Sequence, residues 1–141
     1  MIYTKTIRED EGGTYGVGTS LVAQKQPVER LIGQVYFNTN PESVAKLSAL
    51  ATKGLKELAE NGPSVEHFNM AIENFKKNLP ESRINNSYWS SCLSSWLELG
   101  IDYDAEYEAA LNSLTPEDVK AAVQELLSQG NVINIASFPA E

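Results

Sequence analysis

Residues 7–17 of the chain read Ile7-Arg8-Glu9-Asp10-Glu11-Gly12-Gly13-Thr14-Tyr15-Gly16-Val17, and this stretch decides how the fold begins. Ile2, Tyr3 and Ile7 look like the tail of a longer helix. Gly12-Gly13 predicts the end of that helix, because glycine readily adopts the left-handed conformation found there. Residues 14–26 are rich in Thr, Tyr, Val and Gly, which is typical of a strand. The stretch therefore predicts a helix-to-strand junction.

The sequence after this junction predicts one more strand, a series of helices and a last strand. Gln26-Pro27 indicates a turn, and residues 30–38 form the second strand of an antiparallel pair. About five helices follow with apolar residues at helical spacing and with recognisable start and stop residues. We expect them over residues 41–61, from Ser64 to Leu79 with Pro80 blocking continuation, over residues 86–99, from about Asp104, and from Thr115 to Gly130. Residues 131–138 alternate as a last strand.

This order predicts an α+β fold in which helices pack on one face of a small, mainly antiparallel sheet. With 141 residues, the chain is long enough for a single domain with its own core. Two features suggest a fragment: the opening helix is short, and three strands make a narrow sheet with uncovered edges. We therefore expect one domain over residues 1–141, truncated at its N-terminus, that tends to self-associate.

Composition excludes several classes of function. The net charge is -8 and the 11 Lys and Arg residues are scattered, which argues against a nucleic-acid partner. No apolar run approaches the roughly 18 residues that a membrane span needs, so none is expected. The first residues lack the basic and apolar regions of a signal peptide. These patterns predict a soluble protein, periplasmic or cytoplasmic, and do not decide between the two compartments.

The sequence lacks the motifs of a self-sufficient enzyme. His67 is the only histidine, and neither H-E-x-x-H nor H-x-x-E-H occurs, so we expect no zinc site in this chain and a surface position for His67. Cys92 is the only cysteine and has the spacing of a core residue. The glycines at residues 12–18 enter a strand instead of opening a helix, which argues against a phosphate loop. Carboxylates at residues 9–11 and 117–118 are typical of solvated helix ends.

One resemblance rises above this background. Residues 8–15 resemble the "R-E-x-x-G-x-x-Y" helix-to-strand junction in the C-terminal half of pitrilysin- and insulinase-type zinc peptidases. The likeness covers nearly the whole chain and implies the half-domain fold of these peptidases and of the processing peptidases. Arg8 and Tyr15, seven positions apart, are its specific part. Weaker agreement comes from Asn40-Pro41-Glu42, from Asn86-Ser87-Tyr88-Trp89, from residues 114–119 (LTPEDV) and from a strand that ends at Pro139.

The resemblance implies a division of labour between two halves. In this family the zinc and the catalytic Glu belong to the N-terminal half, and the C-terminal half closes over them and supplies an arginine and a tyrosine to the substrate. Those substrate-binding roles fall on Arg8 and Tyr15. The implied partners are a zinc-bearing N-terminal half, or a partner subunit, and a peptide substrate. The isolated chain is expected to be inactive, with no cofactor of its own.

These roles agree with the chemistry of the two side chains, but other interpretations are open. A tyrosine hydroxyl can donate to a carbonyl oxygen that gains negative charge, and arginine offers a fixed fork of donors. However, Arg8 could simply lie at a helix C-terminus and pair with a nearby acid. Tyr15 could be an ordinary aromatic residue of a strand. The alternative function is that of a non-catalytic structural or assembly domain.

Overall fold

The computed structural model of the chain describes Tyr3, Ile7 and residues 14–138, and over this part the fold is α+β, as predicted. Two strands are followed by five α-helices, and a short 3₁₀ turn, Pro41–Ser43, leads into the first helix. The elements are β1 (Val17–Gln24), β2 (Arg30–Phe37), α1 (Val44–Asn61), α2 (Val65–Ser82), α3 (Asn86–Leu99), α4 (Tyr103–Ser113) and α5 (Pro116–Ser128). The described residues form two compact units, one of residues up to Gly62 with those from Lys120 onward, the other of Pro63–Val119.

The two strands form an antiparallel hairpin, and α5 contacts one of its faces. Gly33 pairs with Leu21, and a Cβ placed on Gly33 would lie 3.3 Å from the Leu126 side chain of α5. Because side chains alternate across a strand, the residues between these point to the opposite face. There the Ser20 hydroxyl bonds the Gln34 side chain at 3.2 Å. The α5 contact and the polar Ser20–Gln34 pair thus lie on opposite faces of the hairpin, and Leu21 on the α5 side remains exposed.

In the first unit the core forms where the opening helical residues meet α1. Ile7 is fully buried, and so is Leu47 on the apolar face of α1. The Tyr3 ring lies against Gly54, and its hydroxyl donates to the Ala51 carbonyl at 2.9 Å. Burial raises the pKa of Tyr3 above its ordinary value, because burial disfavours a charged phenolate. Both described residues of the opening segment are helical, as the sequence predicts.

A side-chain hydrogen bond joins α5 to α1 in the same unit. The Gln124 amide donates to the Ala59 carbonyl at 2.9 Å, and Ala59 is buried. The bond satisfies a polar backbone group that lies between two packed helices.

In the second unit α2 and α4 meet through Leu79 and Leu111, both buried. An ion-pair network adjoins this contact. Arg83, which follows α2, donates through Nε to Asp104 at 2.8 Å and through Nη1 to Glu108 at 3.0 Å. One guanidinium thus fixes the end of α2 to two successive turns of α4.

Capping side chains begin α2 and α5, and glycines end α3 and α5. Ser64 caps α2 by accepting from the His67 backbone N–H at 3.2 Å. Thr115 and Asp118 cap α5 reciprocally, each side chain accepting from the backbone N–H of the other. Gly100 and Gly130 have φ values of +70° and +66°, a conformation that strongly favours glycine, and they end α3 and α5 where the sequence predicts.

One predicted strand and one predicted helix boundary are wrong. Residues 131–138 form no strand, and β1 and β2 are the only strands in the described part of the chain. The alternating pattern of residues 131–138 favours an extended backbone. A strand also requires a neighbouring strand for its ladder hydrogen bonds, and none of the described strands pairs with these residues. Pro80 does not stop α2, which continues to Ser82. A proline this close to the helix end removes only the bond to the Lys76 carbonyl, so the last turn still forms.

Helix α3 is more exposed than its apolar pattern predicts. Cys92 is only half-buried, and four apolar side chains of the same helix are exposed: Trp89, Leu93, Trp96 and Leu97. No helix within the described ranges has the length and apolar character needed to cross a membrane.

Candidate substrate-binding site

Tyr15 lies on a bend immediately before β1. Two hydrogen bonds between Thr14 and Gly16, the residues on either side of Tyr15, hold this bend. The Thr14 hydroxyl donates to the Gly16 carbonyl at 2.9 Å and accepts from the Gly16 backbone N–H at 3.3 Å. This arrangement is a local turn of the kind that Thr favours, in which a side chain replaces a backbone partner. Tyr15 lies between these two bonded residues, and its side chain is fully exposed to solvent. A phenol in this position is free to donate to an external acceptor.

A shallow depression of about 320 Å³ adjoins the bend. It is lined by residues 16–18 and by Tyr36, the residue that pairs with Gly18 across the hairpin. A Cβ on Gly18 would overlap this ring, whereas a Cβ on Gly16 would meet open space. Gly18 therefore makes room for the ring to lie across the strand, and the backbone at Gly16 stays uncovered. Phe37 and Asn38 complete the lining.

The structure places Tyr15 two residues before β1, so Tyr15 takes no part in the β1–β2 ladder. Its contact with a substrate stays a prediction. Thr14 was expected to begin the strand, but its hydroxyl bonds to Gly16 and the strand starts at Val17. Arg8 lies outside the described residues, so its position relative to Tyr15 and the alternative of a helix-terminal ion pair stay predictions.

The described residues do not fit a zinc site. No group of three or more His, Cys, Asp or Glu side chains is arranged to hold a metal within the described part of the chain. His67 is exposed, and its Nδ1 is 2.9 Å from the Ser64 hydroxyl at the start of α2. The imidazole thus belongs to a helix cap, which agrees with the predicted surface position.

The ion-pair network between α2 and α4 is the strongest electrostatic feature of the second unit. The Arg83 guanidinium and the Tyr88 hydroxyl, 2.6 Å from Oδ1, hold the pKa of Asp104 below its usual range. The same hydrogen bond, helped by partial burial, raises the pKa of Tyr88 to about 12. Trp89 donates to the Arg83 carbonyl at 2.8 Å. Every member is paired within the network, so it is a structural clamp.

Comparison with known proteins identifies the family. A family profile described as "Peptidase M16 inactive domain" matches residues 2–75, which is more than half of the 141 residues. The chain belongs to this family. The matched range covers the helix-to-strand junction, both strands and α1, and it extends into α2. The chain is therefore an inactive-type M16 domain of a protease homologue, which confirms the family resemblance found in residues 8–15.

A solved structure supports the same fold. The periplasmic protease PqqL from Escherichia coli matches with a TM-score of 0.72 and 24% sequence identity over 89% of this chain. At this identity the likeness shows the fold alone. The M16 domain spans 14% of the PqqL chain, so the activity and partners of a whole protease do not follow from the match. No curated protein sequence matches the chain.

Sequence reasoning missed the contribution of Tyr36 to this surface. The available signal was weak: Tyr36 is two residues from Gln34, so strand alternation places both on the same face of the hairpin. The pairing with Gly18 depends on the hairpin register, which the several-residue connection leaves uncertain in the sequence.

Proposed function

We propose that this M16 domain is the substrate-binding C-terminal part of a zinc-dependent endopeptidase, in which Arg8 and Tyr15 contact the peptide carbonyl. In this proposal the zinc and the catalytic Glu lie in a separate N-terminal half or partner subunit. The described residues of this chain offer no metal site, so no catalytic step is assigned to a metal here. The domain binds and orients the peptide, and it does not cleave the peptide by itself.

The observation that carries this proposal is the presentation of Tyr15. A fully exposed tyrosine held between Thr14 and Gly16 has a hydroxyl that is available to a second polypeptide. A tyrosine in a core would have its ring covered by neighbours. The glycines beside it admit the backbone of another chain without steric interference from a Cβ.

The chemistry of the contact follows from the charge that develops on the substrate. When a nucleophile adds to a peptide carbonyl, the oxygen becomes more negative, and a donor placed there stabilises the transition state more than the ground state. The phenol of Tyr15 is a neutral donor for this oxygen. Arginine stays protonated and offers several N–H groups, so Arg8 suits neighbouring carbonyls of the same peptide.

A turnover measurement tests this role. The chain is combined with a zinc-bearing M16 half, and cleavage of a fluorogenic peptide is followed for the parent protein and for Tyr15→Phe. Loss of one such donor is expected to lower kcat about a hundredfold or more. The matched control is Tyr103→Phe, which removes a hydroxyl from another exposed tyrosine, on α4.

Two outcomes of this measurement are informative. Reduced turnover for Tyr15→Phe alone, with an unchanged unfolding temperature, supports the substrate contact. Equal turnover for parent, Tyr15→Phe and Tyr103→Phe would show that the phenol of Tyr15 does not act on the reacting carbonyl.

The alternative function is a non-catalytic assembly domain, and exposed apolar side chains favour it. Trp96 and Leu97 on α3 and Ile133 and Ile135 beyond α5 are all more than half exposed. Surfaces of this kind are typical of contacts with other proteins. Self-association of the isolated chain, which is predicted from its truncated start under either function, is tested by sedimentation velocity. A single monomeric species at all concentrations would contradict it.

A further inference from the structure

We infer that Tyr36 forms a side-chain subsite next to Tyr15, which takes an apolar or aromatic side chain of an extended peptide lying along β1. This inference rests on the proposed function and adds a specificity-determining residue to it. Tyr36 lies on β2, outside the junction that carries the family resemblance, and it lines the same depression as Gly16.

The first argument is the shape of the depression. Gly16 and Gly18 line it without side chains, and the Tyr36 ring rests directly on Gly18. A peptide side chain can therefore lie over Gly16 and against the outward part of the ring, but not between the ring and Gly18. The volume of about 320 Å³ is at the lower end for small-ligand pockets, so it suits a side chain better than a large ligand.

The second argument is that Tyr36 is held in place and yet exposed. Its ring lies across Gly18, although 64% of the residue remains accessible. An exposed ring that is already ordered loses little conformational entropy when a ligand packs on it. Aromatic rings also gain from stacking with other rings beyond the area that they bury. The favoured occupant is therefore an aromatic or large apolar side chain.

The third argument concerns the backbone of the occupant. Within the described part of the chain, β1 has β2 on one side and no strand on the other. The open side of such a strand presents backbone N–H and C=O groups that an extended peptide can pair with. A peptide aligned in this way would pass the bend at Tyr15, which is joined directly to the lining of the depression at Gly16.

Peptide binding to the full 141-residue chain tests the inference by NMR. The probes are two capped nine-residue peptides that are identical except at the central residue, which is Phe in one and Ser in the other. We expect the Phe peptide to shift the amide signals of residues 14–18 and 36–38. Affinity for this peptide should fall about three- to tenfold in Tyr36→Ala and persist in Tyr36→Phe, because the second variant keeps the ring. The Ser peptide should bind equally to all three proteins.

The possible failures of the two proposals are distinguishable. If the Phe peptide perturbs residues 14–16 but binds Tyr36→Ala as well as the parent, the subsite is refuted and the role of Tyr15 stands. If Tyr36→Phe loses as much affinity as Tyr36→Ala, a hydroxyl contact replaces the proposed ring contact. If neither peptide perturbs residues 14–18 of the isolated chain, the subsite is refuted, and the proposed function is decided separately by the turnover of Tyr15→Phe in the combined peptidase.

Discussion

The contact between Gly18 and Tyr36 makes the effect of one methyl group depend on a side chain across the hairpin. Gly18 has an ordinary φ, which alanine can adopt, but a Cβ there would overlap the Tyr36 ring. In Gly18→Ala the ring must therefore leave the strand. In the double variant Gly18→Ala/Tyr36→Ala there is no ring to displace. The two substitutions are expected to be strongly coupled.

The magnitude follows from two opposing contributions. Replacing glycine by alanine at a compatible position stabilises by about 0.4–1 kcal/mol, because the unfolded chain loses freedom. Displacing the ring costs a cross-strand pair of about 0.2–1 kcal/mol. It also exposes the buried third of Tyr36, worth about 0.5–1 kcal/mol. Gly18→Ala should thus destabilise the parent hairpin by roughly 0.5–1 kcal/mol, and stabilise Tyr36→Ala by about 0.4–1 kcal/mol.

Native-state hydrogen exchange measures this coupling where it acts. Amides of the β1–β2 ladder report the local opening free energy, and urea unfolding reports whether the whole molecule shares the change. The double-mutant cycle should give a coupling of about 1–2 kcal/mol. A coupling below about 0.3 kcal/mol, with Gly18→Ala stabilising in both backgrounds, would show that the ring does not rest on Gly18 in solution.

Three further substitutions test the packing and electrostatics of the two units. Leu47→Ala should lower the free energy of urea unfolding by about 2.7–5 kcal/mol, because the side chain is fully buried, whereas exposed Leu97→Ala should change it by less than about 0.5 kcal/mol; equal effects would contradict the assigned core. Asp104 has a folded pKa below its unfolded value, so its contribution to stability is present above about pH 4 and is lost as the pH falls through the folded pKa. Asp104→Asn should therefore flatten the acid side of a plot of unfolding midpoint against pH, and an unchanged plot would contradict the pairing with Arg83. Ser64→Ala should destabilise by about 1 kcal/mol in urea unfolding and Ser64→Asp should retain the cap, since either residue accepts from a backbone N–H; equal losses in both would exclude a capping role.

Helix positions were readable from the sequence because their start and stop signals are local. Asn86–Leu99 matches the predicted helix at both ends, since Gly100 must adopt a left-handed conformation to end it. The apolar spacing of α1 likewise identified Leu47 as a core residue. These features depend on residues within one or two turns, and no knowledge of the rest of the fold is needed.

Features that depend on partners distant in sequence were not readable. The alternation in residues 131–138 predicts a strand, but a strand forms only where a neighbour completes its ladder. The periodicity of α3 shows which side chains share a face, and it cannot show whether anything covers Trp96 and Leu97. The subsite at Tyr36 depends on its register with Gly18. In each case the missing information is a contact between segments.

The exposure of Tyr15 also limits what the isolated domain can do. In water, a phenol that donates to a substrate carbonyl exchanges one hydrogen bond for another, so the net gain is small. The same donor is worth much more where water is excluded and the local dielectric is low. Tyr15 is fully exposed in this structure, so its proposed role would require a second surface to exclude water from it. The hydroxyl should therefore contribute little to peptide affinity in the domain alone and much to turnover in an assembled peptidase.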